Sequence, residues 1–103
     1  MNSQIPPVGH EETPKGGKFT IGRDAIMTYR KVGDGHIEVN HTRVARDARG
    51  QGLAGELYRA MIDHARAHGL QVTPTCSYVI RMLERFPEDR DVLKEKRTLT
   101  PFF

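Results

Sequence analysis

Residues 46–69 read RDARGQGLAGELYRAMIDHARAHG. From Leu53 the apolar positions recur at helical spacing: Leu53, Leu57, Met61 and Ala65 fall every four residues, with Ala54, Tyr58 and Ile62 beside them. Glu56, Arg59, Asp63 and Arg66 fill the other side, and Gly69 stands where a helix C′ residue belongs. The stretch predicts one long amphipathic helix whose apolar stripe must be covered. Just ahead of it, Arg49, Gly52 and Ala54 sit at R-x-x-G-x-A spacing, so backbone N–H groups and the positive end of the helix dipole converge on one point. Such a turn suits a phosphate.

Upstream, the hydrophobic period is two rather than 3.6. Phe19 and Ile21 alternate with polar residues, Gly22-Arg23-Asp24 makes a turn, and Ala25 to Val32 is a β-branched and aromatic run containing Ile26, Met27 and Tyr29. Gly33-Asp34-Gly35 is a second turn, and His36 to Val44 follows as a strand in which Ile37, Val39 and His41 are expected to share one face. Downstream of the long helix, Leu70 and Val72 offer a short strand stopped by Pro74, which has no N–H for a ladder. A second helix is expected from about Thr75, carrying Val79, Met82, Leu83 and Phe86 until Pro87 ends it.

The order is thus β-β-β-α-β-α, an α+β or mixed α/β domain in which the long helix covers one face of the sheet. A strand, crossover helix and strand running through Val39, Leu57 and Val72 would be parallel and right-handed. The helix N-terminus then opens at the carboxyl end of the strand before it, the usual place for a ligand. Residues 1–17, rich in proline and glycine and without a sustained period, are expected to be a flexible lead-in; residues 18–93 form the domain, and 94–103 a tail.

A chain of 103 residues can bury roughly 60–70% of its unfolded surface and own one modest core. No apolar run approaches the length of a membrane span or a signal-peptide core, so the expected address is the cytoplasm, with no membrane partner. The single cysteine, Cys76, excludes an internal disulfide and a cysteine-rich zinc cluster; its role is chemistry or packing. A formal charge of +3 suits an anionic ligand but is too mild to specify nucleic acid. Arg43, Arg46 and Arg49 against Asp47 give a local +2 beside the glycine loop, where a phosphate would sit. A second +2, from Arg90, Lys94, Lys96 and Arg97 against Asp91 and Glu95, reads as a solvated tail.

Gly50, Gly52 and Gly55 also spell G-x-G-x-x-G, the letters of a dinucleotide-binding turn. That geometry wants the first glycine directly off its strand, an acidic residue about twenty positions further on and a larger sheet. Here Gly50 comes six positions after Val44, and Thr73, Pro74 and Thr75 stand where the carboxylate should be. A Walker loop fails as well, since no Gly-Lys-Ser/Thr follows.

At these residues the sequence resembles the GNAT superfamily of acyl-CoA-dependent N-acetyltransferases, whose signature for the pyrophosphate of coenzyme A is Q/R-x-x-G-x-G/A; Arg49, Gly52 and Ala54 match it. More narrowly, it is similar to the minimal branch of GNAT-like proteins marked by HT-x-V, a G-x-G-x-A/G loop and P-x-CSYV before a helix ending in a His/Phe-Pro step. Those phrases read here as His41-Thr42-Arg43-Val44, GQGLAG at 50–55, Pro74-Thr75-Cys76-Ser77-Tyr78-Val79, and Phe86-Pro87. One departure is Asp89-Arg90, which stands where an aromatic residue is expected. The resemblance implies a splayed mixed sheet, truncated relative to full-length GNAT domains, with the pantetheine arm lying where the strands before and after the long helix part. It implies acetyl-CoA as co-substrate, held by Val44, Arg49, Gly50, Gln51, Gly52, Leu53, Ala54 and Cys76, no metal, and an unidentified amine acceptor that is either a small molecule or a protein. The helices and strands that build the acceptor pocket in larger relatives are missing from this branch.

Acetyl transfer from a thioester to an amine needs a neutral amine, a polarised carbonyl and a proton for the departing thiolate. Cys76, near a helix N-terminus, is either a nucleophile passing through an acetyl-cysteine or a small thiol lining the thioester. Tyr78 is either the acid for the thiolate or a packing partner of Met82. His41 is either a core histidine or the base. His10, His36, His64 and His68 show no metal-ligand arrangement and are expected to be solvated. The rival to an acetyltransferase is a non-catalytic coenzyme A-binding or regulatory module.

Overall fold

The structure, a computed structural model, describes residues 7–94. Five strands form one sheet in chain order: β1 (Gly9–Glu12), β2 (Gly16–Ile21), β3 (Ala25–Gly33), β4 (His36–Val44) and β5 (Gln71–Pro74). The first four are antiparallel, and β5 pairs β4 in parallel after the crossover through α1 (Leu53–Ala67). A second helix, α2 (Ser77–Arg85), follows, and two 3-10 turns lie at Arg46–Ala48 and Pro87–Val92. This is the expected β-β-β-α-β-α order with one strand added in front.

The added strand corrects the reading of residues 1–17 as a flexible lead-in. Residues 9–12 pair with 17–20, and the Thr13 side chain closes the connection through bonds with Lys15 and Gly16. His10 stacks on Phe19 at 4.4 Å, and its Nε2 lies 2.7 Å from the Tyr29 hydroxyl. A four-residue edge strand with every residue exposed carries no hydrophobic period, so alternation could not reveal it. Residues 1–6 and the tail from 95 onward lie outside the described residues.

One face of the sheet is buried under α1. Phe19, Met27, Tyr29, Ile37 and Val39 meet Leu57, Tyr58, Met61 and Ile62, all of them buried. The helix ends in a Schellman motif: Gly69, at φ +64°, donates to Arg66 O (3.4 Å), and Leu70 donates to Ala65 O (2.8 Å). The helix C′ role expected of Gly69 is the one it has. The opposite sheet face carries Lys18, Thr20, Ile26, Thr28 and Arg30, and no described helix packs on it.

Two irregularities sit side by side in β4. Thr28 opposes His41 while Tyr29 opposes Val39, so Asn40 is an extra residue, a β-bulge whose Oδ1 accepts the Thr28 hydroxyl at 2.6 Å. The bulge reverses which face the later residues take. Ile37 and Val39 face the core, but beyond Asn40 it is Thr42 and Val44 that turn inward, while His41 and Arg43 are exposed on the other face. The expectation that His41 shares a face with Ile37 and Val39 is therefore wrong. The second irregularity is the end of the β4–β5 ladder, which stops at Val39–Pro74. The N–H groups of Thr75 and Cys76 both reach the Val39 carbonyl, at 3.0 and 3.2 Å, and residues 40–44 have no strand partner on that side among the described residues.

Candidate functional site

Three elements meet where the ladder ends: the loop from Val44 to Gly52, the first turn of α1 and the first turn of α2. Ala48, buried in the 3-10 turn, anchors the loop. Gly50 and Gly52 hold φ of +88° and +79°, a region that residues with a Cβ enter at a cost, and nothing lies within 4 Å of the Cβ either would carry. Gly52 is the N-cap of α1 and has no side chain to cap it; the first intrahelical bond is Glu56 N–H to Gly52 O at 3.1 Å. The N–H groups of Leu53, Ala54 and Gly55 thus have no intrahelical acceptor and point along the positive end of the dipole.

Beside this turn is a cavity of about 280 Å3. Of the residues expected to hold coenzyme A, Val44, Arg49, Gly50, Gly52, Leu53 and Ala54 line it, joined by Tyr78 from α2. Gln51 is exposed on the loop and Cys76 lies outside the lining. Arg49 is tied down by its Nε, which donates to Val44 O at 3.3 Å. Arg43 is not part of this cluster: the bulge turns it to the far sheet face, so the +2 expected of three arginines beside the loop is divided between two faces.

Cys76 is the N-cap of α2, in extended conformation, and is buried at 8% exposure. Its Sγ donates to Thr42 Oγ1 at 3.4 Å, on the helix-covered side of the sheet. His41, one residue before Thr42, is exposed on the opposite side, and its side chain makes no hydrogen bond among the described residues. Tyr78 is half-buried, its Oη 4.0 Å from the position of a Cβ on Gly55, and burial first of all raises its pKa above the ordinary value. The phenol is therefore protonated at neutral pH. Of the three candidate catalytic residues, Cys76 and Tyr78 lie on the helix side of the sheet and His41 on the other.

Thr42 and Asp89 were given no role by the sequence, yet each matters. Thr42 is legible only once the bulge is known. Asp89, at the departure from the family pattern, is the one buried charged residue among the described residues, accepting from Tyr58 Oη (2.9 Å), Arg59 (2.9 and 3.2 Å) and Arg66 (3.3 Å). It ties the turn after α2 to α1. The remaining histidines are not simply solvated: His36 bonds Thr73 Oγ1 at 2.7 Å, and His64 packs against both His10 and His68. Among the described residues, no group of three or more His, Cys, Asp or Glu is arranged to hold a metal, and no helix is long and apolar enough to cross a membrane.

Comparison with known proteins converges on one family. A family model described as GCN5-related N-acetyl-transferase matches residues 18–92. The chain is 28% identical over 86 residues to the Gallus gallus protein named Protein NATD1, covering 79% of this chain and 78% of the relative. It is 27% identical to the Homo sapiens protein of that name over 86 residues, 79% and 76% of the two chains. Among solved structures, the solution structure of a GCN5-like protein from Staphylococcus aureus shares 32% identity and a TM-score of 0.69, over 88% of this chain and 90% of that one.

Proposed function

The chain belongs to the GCN5-related N-acetyltransferase family, and from that premise we propose that it takes acetyl-CoA as donor and moves the acetyl group to an amine across the opening between β4 and β5. One observation carries the reading: the cavity shared by Gly50, Gly52, the first turn of α1 and Tyr78. The residues present fit the co-substrate. Unpaired N–H groups at 53–55 suit the pyrophosphate, Arg49 is held alongside, and the unpaired edge of β4 from 40 to 44 offers backbone groups to a pantetheine arm.

In the transfer, the amine nitrogen bonds to the acyl carbon, the carbon–sulfur bond breaks, the amine loses a proton and the sulfur gains one. Tyr78, kept protonated by burial, supplies the proton to sulfur. His41, exposed on the side open to an acceptor, takes the proton from the amine. Cys76 packs beside Thr42 rather than attacking. Its thiol is engaged with Thr42, and no base contacts it among the described residues, His41 being on the other side of the strand.

Titrating coenzyme A into isotope-labelled protein is expected to move the amide signals of Arg49 to Ala54; unmoved signals would refute the donor assignment. Intact mass after incubation with acetyl-CoA tests the route. An acetyl adduct that disappears in Cys76→Ala would replace direct transfer with a covalent one, and binding with no turnover across an amine panel would make the chain a coenzyme A-binding module.

A further inference from the structure

The sheet face not covered by α1 carries another cavity, of about 320 Å3, between the β2–β3 turn and the end of β4. Lys18 and Thr20 of β2, Arg23 and Asp24 of the turn, Ile26 of β3 and Arg43 of β4 line it. Three cations against one carboxylate give a local charge of +2. Neither Arg23 nor Arg43 makes an ion pair or a side-chain hydrogen bond among the described residues, and Lys18 has only a 3.7 Å contact with the exposed Glu11. Elsewhere on the sheet the cations are matched: Arg30 pairs Glu38 at 2.7 Å, and Lys31 pairs Glu12. Like charges from three separate segments repel one another around a shared concavity unless an anion joins them, and the guanidinium fork suits a carboxylate or phosphate.

Position gives the cavity a use. Arg43 and His41 share one strand face two residues apart, which places them ~7 Å from each other along β4. Their cross-strand neighbours Ile26 and Thr28 continue the same surface from the cavity to the bulge at Asn40, where the sheet opens. A ligand seated at Arg43 therefore reaches along the strand to the proposed base. We propose that this cavity binds a carboxylate or phosphate carried by the acceptor, so that the substrate is a small amine bearing an anionic group about 7 Å from its nitrogen. The inference rests on the acetyltransferase reading and adds the acceptor's chemical class. The same anion chemistry could come from the 3′-phosphate of coenzyme A, and the experiment separates the two sources.

Isotope-labelled protein saturated with coenzyme A is titrated with inorganic phosphate, so that the loop at 49–54 is already filled. Saturable shifts at Gly22, Arg23, Ala25 and Arg43, absent in the Arg23→Gln/Arg43→Gln variant, are expected; no shift there overturns the proposal. Acetylation of ε-aminocaproate is then compared with that of n-hexylamine, the same chain without the carboxylate. A preference for the anionic amine of about tenfold in kcat/KM is expected, falling towards unity in Arg43→Gln through a higher KM with kcat retained. Equal rates for the two amines overturn the proposal. So does a weaker affinity of Arg43→Gln for coenzyme A but not for dephospho-coenzyme A, which would assign the cavity to the 3′-phosphate. Failure of coenzyme A itself to move residues 49–54 would instead refute the donor reading beneath it.

Discussion

Gly52 and Gly55 are three residues apart in the same motif, yet alanine at the two positions should change stability in opposite directions. Gly52 sits at φ +79° with nothing within 4 Å of an added Cβ, so the cost of alanine there is conformational and not steric. The left-handed region costs an L-residue about 1–2 kcal/mol. Gly55 is in the first turn of α1 without a positive φ, and its Cβ would meet only Tyr78 Oη at 4.0 Å, an ordinary contact. Replacing glycine by alanine inside a helix gains about 0.5–1 kcal/mol. The Gly52 variant also links stability to function. If the free loop relaxes to negative φ it recovers part of its strain, but that part must be restored when coenzyme A binds. The loss in unfolding free energy and the loss in binding free energy therefore sum to about 1–2 kcal/mol, and a loss wholly in binding is roughly 5–30-fold in Kd. Urea unfolding and calorimetric titration of coenzyme A on wild type, Gly52→Ala and Gly55→Ala measure both terms. A Gly52→Ala protein unchanged in both, or a Gly55→Ala protein less stable than wild type, would refute the assignment of the left-handed turn to Gly52 and of helix to Gly55.

Removing the Asp89 side chain leaves the buried Tyr58 hydroxyl and two arginines without their shared acceptor. Because those arginines are 43% exposed, the expected loss for Asp89→Ala is about 2–4 kcal/mol rather than the full cost of a buried ion pair. Asp91→Ala, at a 52% exposed partner of Arg66, should cost under about 1 kcal/mol, and equal losses for the two in urea unfolding would contradict the buried role of Asp89. Burial would raise the Asp89 carboxyl, but bonds from Arg59, Tyr58 and Arg66 hold it below 3.8; this contribution is present above that pH and is lost as the pH falls through the lower folded value. His64 is shifted below 6.5, by burial first and then by repulsion from His10 and His68. The unfolded chain then binds this proton more readily than the folded one, so stability is complete above about pH 6.5 and declines as pH falls through that value towards the folded pKa. The urea midpoint should drop from about pH 8 to about pH 5, and His64→Gln should flatten that drop; an identical slope in the variant would rule His64 out as its source.

The parts of the fold legible in the sequence were those written in periodicity and in backbone-specific residues. The 3.6-residue stripe from Leu53 to Ala65 gives α1 and its buried face, Gly69 gives its end, and the turns before β3 and β4 follow from Gly22 and Gly35, both at positive φ. The glycine loop was legible because its conformation needs glycine at 50 and 52. What could not be read depended on pairing across the chain. β1 has no buried face to leave a pattern, and it is held by ladder bonds and by His10 against Phe19. The bulge at Asn40 adds no distinctive residue to β4, so strict alternation assigned His41 inward and left Thr42, quoted only as part of the family phrase, without a role. Asp89 looked like a departure from a pattern because its partners, Tyr58, Arg59 and Arg66, lie on a helix more than twenty residues earlier in the chain.

The bulge and the end of the β4–β5 ladder fall on neighbouring residues, Asn40 and Val39, and this adjacency makes the site two-sided. Pro74 has no N–H to continue the ladder, so the next two N–H groups, of Thr75 and Cys76, converge on a single carbonyl and the chain turns into α2. At the same point the bulge reverses the side-chain parity of β4. Had the ladder ended without the bulge, Thr42 would face away from Cys76, and His41 would be turned under α1 with Val39. With both, Thr42 meets Cys76 on the helix-covered side while His41 and Arg43 line the open side. Deleting Asn40 should therefore turn Val39 to Val44 into a regular strand in which Thr28 still opposes His41 and Met27 still opposes Thr42, so both residues keep their faces and the Cys76–Thr42 contact survives; loss of that contact in the deletion variant, read from its NMR spectra, would refute this account of the bulge.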